Sequence, residues 1–188
     1  MRRALIATMA LAVATPVMAR PAMAKPTTEQ RLDRLEAESD IRRAIVEYGK
    51  ALDAKDYAGY ARLFARNGEW SGGMGTAKGP AAIEAMLLKA LGKPEAGYVN
   101  KQSFHLISNI IVEVTGDHAT AWSRLTFFTK SPEGRPQSLL AGHYVDDWVR
   151  EDGQWRILKR VTYGDIPFRD GAQPGPAPAP PAPSDNRP

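Results

Sequence analysis

Apolar residues recur at helical spacing through the first half of the chain and at alternating spacing through the second, and this change of period divides it. Thr27 and Thr28 can cap a first helical stretch carrying Leu32 and Leu35, and Ser39 reads either as a new helix start or as a polar turn of the same helix. Ile41, Ala44, Ile45, Tyr48 and Leu52 then form one apolar stripe. Asp56 is placed to cap a second helix that buries Tyr60, Leu63 and Phe64 and ends at Asn67-Gly68. Glu69-Trp70-Ser71 reads as a short strand, followed by a loop, Gly72-Gly73-Met74-Gly75. Gly79-Pro80 opens a third helix, with Pro80 where its missing N–H costs least; that helix buries Ile83, Met86, Leu87 and Leu91 and ends at Gly92. Strands are predicted over 102–115, 119–130, 137–150 and 154–165, with turns at Gly116-Asp117, Pro132-Glu133-Gly134 and Asp152-Gly153. Hairpin-linked strands imply an antiparallel meander. The pattern therefore predicts an α+β domain, with three N-terminal helices on one face of a curved antiparallel sheet.

The two ends of the chain change this picture. Residues 1–24 read as a secretory signal peptide: Arg2 and Arg3 form a charged start, Ala4 to Met18 is apolar but too short for a span, and Ala22-Met23-Ala24 is an A-x-A cleavage site. Cleavage after Ala19 and a retained anchor are the alternatives. The expected location is periplasmic or secreted, with no stable membrane insertion after cleavage. The chain has 25 basic and 21 acidic residues; loss of Arg2, Arg3 and Arg20 with the signal leaves 22 against 21. The basic excess thus belongs largely to the precursor, and no basic cluster with interleaved aromatics points to nucleic acid. The chain has no cysteine, which excludes disulfides, a thiol nucleophile and a thiolate metal site. Residues 171–188 hold seven of the fifteen prolines and no large apolar side chain, and they read as an extended, disordered Pro/Ala-rich tail. One domain, residues 25–170, remains.

Asp53 and His105 are the leading chemical candidates, since a carboxylate beside an imidazole can move a proton at neutral pH. Asp53 shares a helix flank with Val46 and Gly49, and Gly49 is read as leaving open space one turn before it. A carboxylate at the edge of an apolar face is partly desolvated and suited to base work; a capping or solvated carboxylate is the alternative. His105 has apolar neighbours, Phe104, Leu106 and Ile107, and reads as buried, either at a site or simply as a hydrogen-bonded core residue. Asn109 lies two pleats further on, placed to orient a ligand or to tie down backbone at a bulge. His118 follows a turn and reads as solvent-facing. His143 and Tyr144 point to opposite faces, one of which lines the interior. Arg150 reads as half of a surface ion pair. The Gly72–Gly75 loop lacks the Lys-Ser/Thr of a phosphate loop, and neither H-E-x-x-H, G-x-S-x-G nor a dinucleotide fingerprint is present. Asp53, His105 and His143 could meet around a metal, but neither a metal nor a cofactor is predicted.

The order ALDAKDYAGYARLFARNGEW, KGPAAIEAML, FHLISN and GHYVDDWVREDGQWRI resembles the SnoaL-like branch of the nuclear transport factor 2 superfamily, over residues 33–166. Scytalone dehydratase, a hexachlorocyclohexane dehydrochlorinase and the steroid isomerases are enzymatic relatives. The resemblance implies a cone-shaped fold with an internal pocket, and it matches Asp53 and His105 to the acid–histidine pair of the dehydratase and dehydrochlorinase. It also matches Asn109, Trp70, His143 and Tyr144 to pocket positions. Tyr48 stands where the dehydrochlorinase has a lysine, which argues against halide elimination; the tyrosine can donate a hydrogen bond to a substrate oxygen or serve as a core aromatic. The implied function is a cofactor-independent lyase or isomerase, acting on a small hydrophobic organic ligand through an Asp53–His105 dyad, in a homodimer formed through the outer sheet face. The competing expectation is a non-catalytic binding module of the same fold.

Overall fold

A computed structural model describes residues 25–166. The signal reading of residues 1–24 and the tail reading of 171–188 lie outside the described residues. Thr27 opens helix α1 (Thr28–Asp53) with a reciprocal capping box: Gln30 N–H donates to Thr27 Oγ1 at 3.2 Å, and Thr27 N–H donates to Gln30 Oε1 at 2.8 Å. The helix runs unbroken through Ser39. Its buried residues, Ala37, Ile41, Ile45, Tyr48 and Gly49, fall three or four apart and turn one face to the core, whereas Leu32 and Leu35 stay exposed. Asp56 caps α2 (Tyr57–Ala61), accepting from Gly59 N–H at 2.8 Å.

From here the chain departs from the predicted pattern. Helix α2 ends before Leu63, and Phe64 already opens strand β1 (Phe64–Gly72), so Asn67-Gly68 sits inside a strand instead of ending a helix. The glycine loop is the turn of a hairpin between β1 and β2 (Gly75–Lys78). Pro80 starts α3 (Pro80–Leu91) as expected; Ile83 and Leu87 are buried, but Leu91 is exposed, because it lies at the end of the helix beside Gly92.

The long strands are β3 (Ser103–Thr115), β4 (His118–Lys130), β5 (Pro136–Glu151) and β6 (Gln154–Ile166). The sheet order is β2-β1-β6-β5-β4-β3. Strands β3 to β6 form the antiparallel meander, but β1 pairs with β6 in parallel, so the sheet is mixed, not purely antiparallel. The physical reason is the route of the chain: α3 carries it from the β1–β2 hairpin to the far edge, and the meander returns to lie beside β1 in the same direction. Register shifts at Ser108/Ile111, Phe127/Phe128, Ala141/Gly142 and Asp147/Trp148 bend the long strands around the helices. The core fills the concavity, with Ile41, Ile45, Ile83, Leu87, Trp148 and Ile157 at or near zero exposure. No described helix is long and apolar enough to cross a membrane.

Candidate functional site

Two polar groupings occupy the inner, helix-covered side of the sheet. The first joins the end of α1 to the start of β3. Asp53 Oδ1 lies 2.5 Å from His105 Nδ1, and the same carboxylate accepts the His105 backbone N–H at 3.0 and 3.2 Å. Three contacts between one carboxylate and one residue fix both the ring and the strand entry. The pair is held from behind by Asn100, whose Nδ2 donates to the Asp53 carbonyl at 3.0 Å while its Oδ1 accepts from Gln102 and Ser103 N–H, each at 3.1 Å. The His105 ring packs on Phe127 with centroids 4.6 Å apart. The side chains are 17% and 22% exposed for His105 and Asp53, so the pair is shielded but reachable. With Nδ1 turned to the carboxylate, Nε2 is the ring nitrogen that faces away from Asp53. A groove of about 320 Å³ passes Asn100, Ser103 and Phe104 towards Arg135, beside the segment that anchors Asp53; neither dyad side chain lines it.

The second grouping lies deeper. Tyr60 O–H donates to Tyr48 Oη, and Trp70 Nε1–H donates to the same oxygen at 3.1 Å. The Tyr48 and Tyr144 rings stand edge to face, 5.5 Å between centroids. Between them sits the Arg160 guanidinium, 3.8 Å from the Tyr48 centroid and 4.5 Å from that of Tyr144. Arg160 binds Asp146 bidentately at 2.7 and 2.5 Å, with both side chains fully buried. Burial is the largest influence on both partners: it raises the Asp146 carboxyl against the pull of Arg160, whereas at Arg160 it acts downward and is exceeded only by the Asp146 charge and hydrogen bonds together with Tyr48 and Tyr144, which leave the guanidinium raised. Arg160 decides the state of the pair, because a guanidinium keeps its proton and a bidentate neighbour at these distances favours the carboxylate. Burial also pushes Tyr60 and Tyr144 well above the ordinary phenol range, so both remain neutral donors.

The predicted site residues thus separate. Asp53 and His105 meet. Tyr48, Trp70 and Tyr144 meet one another in the buried network. His143 faces the other side of the sheet, where its Nδ1 lies 3.0 Å from Asp165, its ring stacks on Tyr163 at 4.6 Å, and Asp165 binds Arg124 at 2.5 Å. Asn109 occupies the β3 bulge with φ 51° and an exposed side chain, and Arg42 from α1 donates to the adjacent Ile110 carbonyl. His143 does not join Asp53 and His105, and the described residues contain no cluster of three His, Asp or Glu side chains able to hold a metal. Gly49 does not leave open space: a Cβ there would stand 3.1 Å from Ile107 Cδ1, so β3 fills the gap. His118 is exposed, and Arg150 pairs with Asp33 at 3.1 Å and Asp117 at 3.4 Å.

Sequence reasoning missed Arg160, Asp146, Tyr60, Asn100 and Asp165. One signal was available: alternation along Tyr144-Val145-Asp146-Asp147-Trp148 puts Asp146 on the same face as Tyr144 and Trp148, and a carboxylate on an apolar face demands a cation.

No curated protein gives a significant match. The structure is similar to that of Rv3472 from Mycobacterium tuberculosis, a protein of unknown function, with 26% identity, TM-score 0.59, and coverage of 75% of this chain and 76% of that one. It is similar to an NTF2-like protein with a cystatin-like fold from Novosphingobium aromaticivorans, with 29% identity, TM-score 0.60, and coverage of 70% and 84%. A hexachlorocyclohexane dehydrochlorinase from Novosphingobium barchaimii has 21% identity, TM-score 0.58, and coverage of 72% and 90%, a likeness that shows the fold alone. The family model described as "SnoaL-like domain" matches residues 33–161, and the chain belongs to that family, within the NTF2-like fold.

Proposed function

We propose that the protein is a cofactor-independent lyase or isomerase in which Asp53 and His105 move a proton on a small, largely hydrophobic ligand. The observation that carries this reading is the 2.5 Å contact between Asp53 Oδ1 and His105 Nδ1. Asp53 holds the tautomer in which Nε2 is free to accept a proton, and it stabilises the ring once that proton has arrived. The substrate C–H bond breaks, its electron pair forms a new double bond, and the proton goes to Nε2. The reaction ends in one of two ways. Either a hydroxyl on the neighbouring carbon leaves with its bonding pair, taking a proton as water, or the proton returns at another carbon and the double bond has shifted.

A non-catalytic binding module is the second reading, and a specific observation favours it: Tyr48, Tyr60 and Trp70 satisfy one another's polar atoms in a closed network. One experiment separates the two. The full chain is incubated in heavy water with a library of hydrophobic carbonyl and ring compounds, and NMR follows loss of substrate C–H signal and product formation. Proton exchange or conversion by some member supports the enzyme; binding without exchange or conversion by any member supports the module.

We also propose export to the periplasm or beyond, on the strength of the Arg2-Arg3 start, the short apolar run and Ala22-Met23-Ala24. Mass spectrometry of the protein from its native cell envelope tests this, and an intact N-terminus would contradict it. Pairing of two copies through the outer sheet face is a further part of the proposal, supported by Phe104, Leu106 and Ile111, each nearly half exposed.

A further inference from the structure

The groove of about 320 Å³ lies at the end of the sheet where β4 turns into β5, and it falls at the lower end of the range for small-ligand sites. Its charge is one-sided. Lys101, Lys130 and Arg135 line it, and no acidic side chain does. All three are exposed, and none forms an ion pair among the described residues. Glu133, in the same turn, accepts from Ser131 Oγ at 2.8 Å instead, and that hydrogen bond holds its carboxyl below the usual range. Three like charges around one hollow set up a positive field that draws in an anion.

Hydrogen bonds fix the walls. Lys130 N–H donates to the Gln102 carbonyl at 2.7 Å, tying the end of β4 to the approach to β3. Asn100 spends its side chain on the Asp53 carbonyl and on Gln102 and Ser103 N–H, so it holds the wall and offers nothing to a ligand. On the turn side, Ser131 N–H donates to the Arg135 carbonyl at 2.8 Å, and the Lys130 stem passes over Gly134, where a Cβ would stand 3.7 Å from Lys130 Cε. One wall is aromatic. Phe104 is 46% exposed, and its ring is stacked on Phe128 with centroids 5.0 Å apart and planes 10° apart. A ring held in this way is a flat apolar surface, and beside three cations it fits a flat apolar body that carries an acid group. The Ser103–Thr129 pair at the groove is the cross-strand pair next but one to His105–Phe127, about 7 Å away along β3.

We propose that this groove binds a small aromatic carboxylate, with Lys101, Lys130 and Arg135 around the acid group and the ligand's ring against Phe104. The guanidinium fork of Arg135 matches a carboxylate with two parallel hydrogen bonds, and the lysines add point charge. An inorganic anion would satisfy the cations and leave Phe104 uncovered; a neutral aromatic would do the reverse. Recognition here needs neither Asp53 nor His105, so the proposal stands apart from the proton-transfer reading.

The test titrates the full chain with 2-naphthoate, its neutral counterpart 2-acetonaphthone, and inorganic phosphate, followed by amide NMR. Phe104 also borders the face proposed to pair two copies, so the titration is run at a concentration where sedimentation shows one species. In about 20 mM salt, 2-naphthoate should bind with a Kd of about 0.1–1 mM, the range for a ligand of this size in an open groove, and shift the amides of Lys101 to Phe104 and of Gly134 and Arg135. It should bind about tenfold more tightly than the ketone or phosphate, and about 500 mM salt should remove most of its advantage over the ketone. Lys130→Gln and Arg135→Gln should each weaken the acid about two- to fivefold and leave the ketone unchanged. Phe104→Ala should weaken the acid about three- to tenfold, and Asp53→Asn should leave it unchanged. Equal binding of acid and ketone, phosphate binding as tightly as the acid, shifts centred away from the groove, or full affinity in Lys130→Gln with Arg135→Gln would each overturn the proposal. So would binding to phosphatidylglycerol vesicles without binding of 2-naphthoate, which would make the patch a membrane contact. Loss of the acid in Asp53→Asn would move its site to the dyad and overturn the proposal as well, whereas naphthoate binding in a protein that catalyses no proton exchange would refute the enzymatic reading and leave the groove standing.

Discussion

Removal of Asp146 is the sharpest perturbation of the buried network. In Asp146→Ala, Arg160 keeps its charge at zero exposure and loses both hydrogen bonds, at 2.7 and 2.5 Å. An uncompensated buried charge of this kind costs about 3–5 kcal/mol. For a domain of this size, that corresponds to a melting temperature roughly 10–20 °C lower. Arg160→Met should cost less, because the stranded Asp146 can take a proton where a stranded guanidinium cannot give one up. The sign follows from burial, which already raises the Asp146 carboxyl. A raised carboxyl stabilises the fold while protonated and loses that contribution as pH rises, so Arg160→Met should be less destabilised near about pH 5 than near about pH 8. The double variant, Asp146→Leu with Arg160→Met, removes both charges and keeps the volume. It loses the stacking of Arg160 on Tyr48 and Tyr144, and should stay within about 2–3 kcal/mol of the parent. Urea unfolding followed by tryptophan fluorescence measures all four proteins. A double variant destabilised by the sum of the two singles would refute the argument, since the cost would then come from packing alone.

Three further outcomes follow. Tyr60 and Tyr144 are held well above 10.0 by burial, so stability should be intact below about pH 10 and fall as pH rises further, when only the unfolded chain ionises; Tyr60→Phe should flatten that slope, and an unchanged slope in alkaline urea titrations would contradict it. Gly142→Ala drives a Cβ to 2.0 Å from backbone and should cost at least about 3 kcal/mol, whereas Gly49→Ala meets only the flexible end of Ile107 and should stay within about 1 kcal/mol, as thermal melts of the two will show. Asn100→Ala removes the bond that holds the Asp53 carbonyl; it should cost about 1–2 kcal/mol and slow turnover with little change in ligand affinity, and unchanged turnover would exclude a positioning role.

The elements with a strong period were legible in the sequence. The α1 stripe from Ile41 to Tyr48 and the four long strands fall where alternation and turn residues put them, because each pattern reports one buried face. Strand β1 was only half visible. Ala65-Arg66-Asn67-Gly68 does not alternate, and its pairing with β6 is a parallel contact between distant segments that no local signal encodes. The Asp53–His105 contact joins residues 52 apart; resemblance, not spacing, suggested it. The pairs Asp146–Arg160 and His143–Asp165 depend on cross-strand register, including the Asp147/Trp148 and Ala141/Gly142 shifts, which cannot be counted from composition or period. Gly49 misled for a related reason: a missing side chain marks either space or close approach, and only the position of Ile107 decides which.

The central claim is that Asp53 and His105 work as one proton-transfer unit, and a mutant cycle on the first compound found to exchange or convert tests it most directly. Asp53→Asn and His105→Ala should each lower kcat by about 10²–10⁴-fold, the range for a general acid–base group. The double variant should be little worse than the worse single, as groups acting together are not additive. Asp53→Asn, which keeps the shape of the carboxylate, should remain the more stable of the two single variants. Full turnover in either single variant, or losses that multiply in the double, would contradict the account.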